Sequence, residues 1–406
     1  MAGSDKIQEE NYVAAMVLAG VGDAMGYKCG QWEFDFVGEH IHKELKSLGG
    51  VNKLKIKTPE FMVSDDTVLL LSTADSLVDI GKKLKSGKIV DEGDYYNKLY
   101  AEFSFRYQND VSKDMNGRAP GNGTMVACRQ MHPLRPHGWE IPFNSRGGGC
   151  GAAMRAMAIG LRYPNMSDSK CIENLIRVSV ESGRMTHNCP TGYLGSFATA
   201  LFGAFAVSRV PLIRWGKYLI KALPHVQRYV VKVGRDVEDN QKNWAYFGEQ
   251  WAKFLETRGL TNGDGWPKFP EKYGVAERDA FYKSVSFSGW GGASGHDAPM
   301  IAYDALLAAD SGGWEKLCHH GMLHGGDNDS SGVIAGFCYG AMHGFEDVSK
   351  KNHAEVEKRL RLVGCGEDLY TLAKPYIEVM GEEYLFEEAI EQIFGDDSFI
   401  YPIRKE

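Results

Sequence analysis

No pair among the eight cysteines stands in a Cys-x-x-Cys arrangement. Cys29, Cys128, Cys150, Cys171, Cys189, Cys318, Cys338 and Cys365 are scattered, so neither zinc-ribbon nor thioredoxin-type spacing is present. The opening residues 1–10 are polar and charged, and no signal peptide is expected. Free thiols in a reducing compartment, the cytoplasm, follow from both points. Basic stripes are scarce as well. The densest, Lys82, Lys83, Lys85 and Lys88, reads as a solvated turn after a helix, and the net charge is −7. A nucleic-acid binder would carry a basic face, so none is expected as partner. The longest uncharged run, Asn188 to Ser208, is broken by Pro190, Gly192 and Gly195, and its core Phe197–Val207 makes only about three turns. That suits a buried helix rather than a membrane span. A G-x-S-x-G elbow and a P-loop are both absent.

Strand-like alternation is also rare, and what remains is helical. Apolar residues recur at helical spacing in Tyr12–Gly26, Thr67–Leu84, Cys150–Arg162, Ile172–Glu181, Gly195–Val207, Ala298–Ala309 and Gly332–Gly344. Many of these segments are rich in Gly and Ala and can pack closely on several sides. Of the 406 residues 43% are hydrophobic and 24% charged, ordinary values for a globular chain, and no linker or composition break divides them. The expectation is an all-α fold: one large orthogonal multi-helix bundle over residues 11–400, monomeric, behind a disordered tail at 1–10.

Six polar, Gly-rich segments interrupt the helices: Ser64–Thr67, Asn116–Gly121, Asn144–Cys150, Ser182–Thr186, Ser288–Asp297 and His324–Ser331. Loops on a rigid scaffold are where sites are built. Two of them are acidic and hydroxyl-bearing, Ser64-Asp65-Asp66-Thr67 and Asp327-Asn328-Asp329-Ser330, and each precedes a helical pattern. Oxygen-only ligands of this kind select hard cations such as Mg²⁺. Four carboxylates brought together repel unless cations neutralise them, so the segments could bracket a two-metal site. Asp and Ser before a helix are equally the preferred N-caps, and spacing alone does not choose. Gly22-Asp23 is a third acidic spot, read as a polar residue at a helix kink. His296-Asp297 invites comparison with helical HD phosphohydrolases, but that leaves the acidic segments unexplained. Cys150 at a helix start could be a nucleophile; a small buried thiol is the simpler reading.

Longer matches resolve the choice. Gly22-Asp-Ala-Met-Gly-Tyr27, Val63-Ser-Asp-Asp-Thr67, Gly117-Arg-Ala-Pro-Gly121, Gly148-Gly-Cys-Gly-Ala-Ala-Met-Arg-Ala-Met157, Glu181-Ser-Gly-Arg-Met-Thr-His187, Ser288-Gly-Trp-Gly-Gly292 and His324-Gly-Gly-Asp327 occur in the order found in the ADP-ribosyl-acceptor hydrolase family. The sequence resembles that family, and its arginine-directed branch in particular, from about Tyr12 to Gly344. The resemblance implies a dinuclear metal cleft with two Mg²⁺ (Mn²⁺ as an alternative) held by Ser64, Asp65, Asp66, Asp327, Asp329 and Ser330. It implies an ADP-ribose pocket from Asn116, Gly117, Arg118, Cys150, Ser182, Gly183, Arg184, Trp290, Ser294 and Gly295, with Tyr27 and Glu33 near the ribose. Asp65 or Asp66 would be the general base, and ADP-ribosylated proteins the substrates. Asn328 and Ser331 depart from the usual residues, and a run around Val90–Asp110 is longer than the family's loop. The expected activity is removal of ADP-ribose from arginine side chains. Serine-linked or O-acetyl ADP-ribose, or binding without catalysis, are the alternatives.

Overall fold

A computed structural model of the chain describes residues 7–309, 312–380 and 383–395. Among these residues there is no strand, only an isolated antiparallel bridge between Gly149 and Ser294, and the all-α expectation holds as a helical bundle. No described helix is long and apolar enough to cross a membrane. Of the stretch expected as a tail, residues 1–6 lie outside the described residues, as do residues 396–400 of the expected domain, and Glu9 opens the first helix.

The helical patterns appear as Glu9–Tyr27, Asp65–Lys85, Ser169–Arg184, Pro190–Val207, Asp297–Ala309 and Asn328–His343. Local chemistry sets where they start. Ser64 Oγ accepts the Asp66 N–H at 3.1 Å, Asp168 accepts from Cys171 N–H at 2.9 Å, and Pro190 occupies the first turn of its helix. Asp65 and Asp66 at one end of their helix and Lys82, Lys83 and Lys85 at the other complement the macrodipole.

The crossing that positions the site is between Glu9–Tyr27 and Asn328–His343. Gly22 and Gly332 face each other so closely that a Cβ on either would strike the other's backbone carbonyl. Gly26 meets the Asn328–Asp329 backbone in the same way. A glycine inside a helix costs about 1 kcal/mol against alanine. Here it lets the end of one helix lie against the beginning of another. The Pro190–Val207 helix runs through the interior, where Phe202 packs edge-on to Trp251, with Trp215 and Tyr303 alongside. A buried Arg258–Asp304 ion pair of 2.6 Å, shared with Tyr273, pins the helix ending at Arg258 to this core.

Three segments depart from expectation. Cys150–Arg162 is not one helix: a 3₁₀ turn at Cys150–Ala152 is separated from the helix Met157–Arg162. Its run of Gly and Ala is permissive and accepts either geometry. The stretch around Val90–Asp110 is a 22-residue helix, Glu92–Lys113, rather than a long loop; Asp91 caps it, and Tyr96, Tyr100, Phe103 and Tyr107 bury one face. Ser182–Arg184 forms the last turn of the Ser169–Arg184 helix instead of a loop.

Candidate active site

The two acidic segments come together as paired helix N-termini. Asp65 and Asp66 open the helix Asp65–Lys85; Asp327 caps the helix Asn328–His343, accepting from Ser330 N–H at 3.3 Å, while Asp329 sits in its first turn. Each segment is therefore a cap, yet carboxylate oxygens are left over. All four carboxylates are nearly inaccessible and border a cavity of about 400 Å³. Glu33 joins them: one carboxylate oxygen from each of Glu33, Asp327 and Asp329 lies within 4.8 Å of the other two. Asp66 Oδ2 and Glu33 Oε2 have no hydrogen-bond partner among the described residues.

Burial raises every one of these acids, and their mutual charge raises most of them further. Glu33 is pushed up to about 9, first by burial and then by Asp327, Asp65 and Asp23. Burial lifts Asp65, Asp66 and Asp329 well above the usual carboxylate range, with their acidic neighbours adding to it. Asp327 also rises through burial, moderated by bonds to Asp329 first and then to Ser330 and Cys150. No lysine or arginine is among the main influences on any of the five, and Arg146 is the one arginine or lysine among the described residues bordering the cavity. An all-oxygen, uncompensated, buried donor set fits a hard divalent cation.

A sixth carboxylate holds the assembly from behind. Asp23, fully buried in the first helix, accepts the Ser64 N–H at 2.9 Å, the Thr67 N–H at 3.0 Å and the Thr67 hydroxyl. Burial moves it up to about 6 despite these donors. Asp23 thus clamps the start of the helix that carries Asp65 and Asp66, where sequence reading saw only a polar residue at a kink. On the other side, Asn328 Nδ2 donates to the Trp32 carbonyl at 3.0 Å and ties the Glu33 segment to the Asp327 segment.

The remaining expected residues divide. Glu33, Cys150, Trp290 and Ser330 border the cavity. The Cys150 thiol lies 3.6 Å from Asp327 and 3.4 Å from the Ser330 hydroxyl. Burial and the nearby carboxylates push it upward, the opposite of an activated thiolate. Ser64 turns its hydroxyl to the helix cap. Tyr27 hydroxyl donates to the Gly117 carbonyl at 2.6 Å, bracing the loop from below. Arg118 faces inward, bonded to Glu357 at 2.6 Å and the Val63 carbonyl at 2.5 Å, while its own carbonyl accepts the Asp65 N–H. Asn116 is exposed; the cavity wall begins three residues later, at Ala119, and continues through Gly121 to Thr124. Ser182, Gly183 and Arg184 are interior, with Arg184 bonded to Asn188 and the Arg235 carbonyl. Ser294 and Gly295 stitch loops together: the Ser294 N–H donates to Asp297 and the Gly295 N–H to the Gly148 carbonyl, both at 2.9 Å. His296 faces the Val285 carbonyl and Asp297 caps this turn, so the pair has no metal-site geometry.

Sequence reading also passed over several cavity residues. Thr124, Asn144, Arg146, Thr186 and His187 all border it. His187 is buried and held neutral, pushed down to about 3, with Nδ1 paired to the Thr186 hydroxyl at 2.8 Å. Its place in the Glu181–His187 motif was the available signal.

The family model for ADP-ribosylglycohydrolase matches residues 4–384. The chain is 36% identical over 386 residues to ADP-ribosylhydrolase ARH1 of Dictyostelium discoideum, covering 89% of this chain and 94% of that protein. It is 31% identical over 350 residues to the ADP-ribosyl glycohydrolase candidate L444 of Acanthamoeba polyphaga mimivirus, covering 82% of this chain and 63% of the viral protein. A solved ADP-ribosylglycohydrolase-related protein complex shares the fold at a TM-score of 0.51 and 16% identity, covering 90% of this chain and 98% of that one. By its matched span and by these relatives, the chain belongs to the ADP-ribosylglycohydrolase family.

Proposed function

We propose that the protein hydrolyses the bond between C1 of ADP-ribose and an arginine guanidinium nitrogen on modified proteins, and that it needs two Mg²⁺ to do so. The observation that carries this is the buried, uncompensated carboxylate set between two helix N-termini, open to a cavity large enough for part of a nucleotide sugar. Ser64, Asp65, Asp66, Asp327, Asp329, Ser330 and Glu33 would hold the ions, the Ser64 hydroxyl oxygen keeping a lone pair beside the Asp66 N–H it accepts. Bound there, the cations would neutralise the acids, fix the ribose hydroxyls and make water a better nucleophile.

The chain's own residues then have distinct tasks. Asp66, whose Oδ2 lacks a partner, or its neighbour Asp65 takes the proton from the attacking water. The guanidine leaves as a strong base and carries its proton away, so the oxocarbenium-like step needs no strong general acid. The helix Asn122–Gln130 presents its N-terminus to the cavity through Asn122 and Gly123, a place for the pyrophosphate that needs few basic side chains. The similarity to ADP-ribosylhydrolase ARH1 supports an ADP-ribose linkage as the target. A linkage panel tests the proposal: purified protein with arginine-linked and serine-linked ADP-ribosyl substrates, with Mg²⁺ or with chelator. The expected result is metal-dependent release of ADP-ribose with an arginine preference of at least ~10-fold, which requires only about 1.4 kcal/mol of differential binding. Equal rates on both linkages would refute the arginine assignment.

A further inference from the structure

At the mouth of the cavity the chain runs Glu33-Phe34-Asp35-Phe36-Val37, acid and aromatic in alternation. Glu33 points inward to the acidic cluster, whereas Phe34 and Phe36 are 49% and 53% exposed, unusual for large apolar rings. Both pack on Trp290, with ring centroids 6.1 Å and 5.7 Å away. Phe34 and Trp290 border the cavity itself. The ledge is fixed at both ends: the Trp32 carbonyl accepts from Asn328, the Trp32 indole donates to Glu44 at 2.7 Å, and the Gly38 N–H donates to Asp279 at 3.0 Å. Within it Asp35 accepts the Val37 N–H at 3.0 Å.

We infer that this ledge is the acceptor-side subsite, a cation-accepting shelf that selects arginine over neutral leaving groups. The inference rests on the arginine reading and deepens it. Three facts place the shelf at the reacting end. Phe34 follows directly on Glu33. Trp290 precedes Gly291, whose carbonyl accepts the Asp327 N–H at 2.9 Å. The Phe34 and Phe36 rings are exposed to solvent beside the cavity, where a protein-borne side chain can reach them. Aromatic faces attract a guanidinium, and carboxylates at the same edge add to the attraction. A serine ether or an acetyl ester carries no positive charge for the shelf to grip. Phe34, Phe36 and Trp290 are therefore specificity-determining residues for the acceptor, not for the nucleotide.

The test compares Phe34→Leu, Phe36→Leu and Phe34→Tyr with the wild type. Two readouts are needed: kcat/KM on ADP-ribosyl-arginine, and the affinity for free ADP-ribose by calorimetry. The leucine variants should lose ~10-fold in kcat/KM while ADP-ribose affinity stays within about twofold. Phe34→Tyr, which keeps the aromatic face, should restore turnover. An equal loss of ADP-ribose affinity would make the shelf an adenine platform and overturn the inference, as would unchanged kcat/KM in both leucine variants. A wild type that does not cleave ADP-ribosyl-arginine at all would sink the functional proposal together with this one. A wild type that cleaves it, with no response from the ledge, would sink the ledge alone.

Discussion

The two acidic segments look alike in sequence and are supported differently in space. Asp327–Ser330 is tied by neutral partners: the Gly291 carbonyl, the Cys150 thiol and the Asn328 amide that reaches Trp32. Ser64–Thr67 is clamped by another carboxylate, Asp23, which adds negative charge directly behind Asp65 and Asp66. In both, a cap and a candidate ligand coexist, because the atoms that satisfy the helix N–H groups leave other carboxylate oxygens over. The comparison shows that each segment also meets a further buried carboxylate, Glu33 beside Asp327 and Asp329 and Asp23 behind Asp65 and Asp66, so the charge of both must be offset from the cavity.

The strongest way to break the comparison is to remove one carboxylate from each segment. Asp66→Asn and Asp329→Asn should each cut turnover by about 10³-fold or more while leaving the protein folded, since on the proposed function each would remove a cation ligand together with a repulsive buried charge. Steady-state kinetics beside thermal melts check it; full activity in either variant with metal still required would end the assignment. If the residues were first-turn acids favouring their helix N-termini and nothing more, about 0.3–1 kcal/mol of stability would be lost instead.

Next in size is the clamp. Asp23→Ala leaves the Ser64 and Thr67 donors unpaired in the interior, at a cost of about 1–3 kcal/mol. Because those donors orient Asp65 and Asp66, kcat should also fall, by roughly 10–100-fold as for a loosened supporting group. A variant that melts early but turns over normally would reduce Asp23 to a purely structural part.

The pH dependence of stability sharpens the charge argument. In chelator, Glu33 near 9 and Asp23 near 6 are both raised above their unfolded values, so the folded state holds protons that the unfolded chain has released. Their contribution is full below the unfolded values and is lost as pH rises through 6 and then 9. The melting temperature of the metal-free protein should therefore climb by several degrees as pH falls from about 9 to about 6, and saturating Mg²⁺ should flatten that slope. A slope of the opposite sign in chelator would remove the case for an uncompensated cluster.

The smallest expected effect is at Cys150. The raised thiol and the water mechanism predict that Cys150→Ser keeps activity within about threefold, as a substitution that removes no transition-state contact. Loss of all activity together with a trapped covalent ADP-ribosyl enzyme would overturn the mechanism.

Much of this was legible before any coordinates. Acid-hydroxyl segments ahead of helical patterns have few physical purposes, so Asp65, Asp66, Asp327 and Asp329 stood out, and periodicity located the helices that bear them. What stayed hidden depends on direction in space. Arg118 and Arg184 sit in motifs that surround the site, yet their guanidiniums turn into the protein to Glu357 and to the Arg235 carbonyl. A motif says which residues travel together, not which way each faces. Asp23 was underrated because its partners are backbone N–H groups 41 and 44 positions onward. The run around Val90–Asp110 stood out only as longer than the loop the resemblance implies; its helix, Glu92–Lys113, buries one tyrosine-rich face, a pattern blurred by the charged residues between.

The glycine crossing of the first helix with Asn328–His343 also has a consequence for assembly. It joins the chain's opening to a segment about three hundred residues onward, as the bond from Asn328 to Trp32, 296 positions apart, marks. Closing so wide a span is entropically costly and comes late in folding. During synthesis the early half of the carboxylate set waits, incomplete, until nearly the whole protein has emerged. A chain that stops before Asn328 therefore lacks half of the carboxylate set, and the seam that completes it is the most extensively packed helix pair among the described residues.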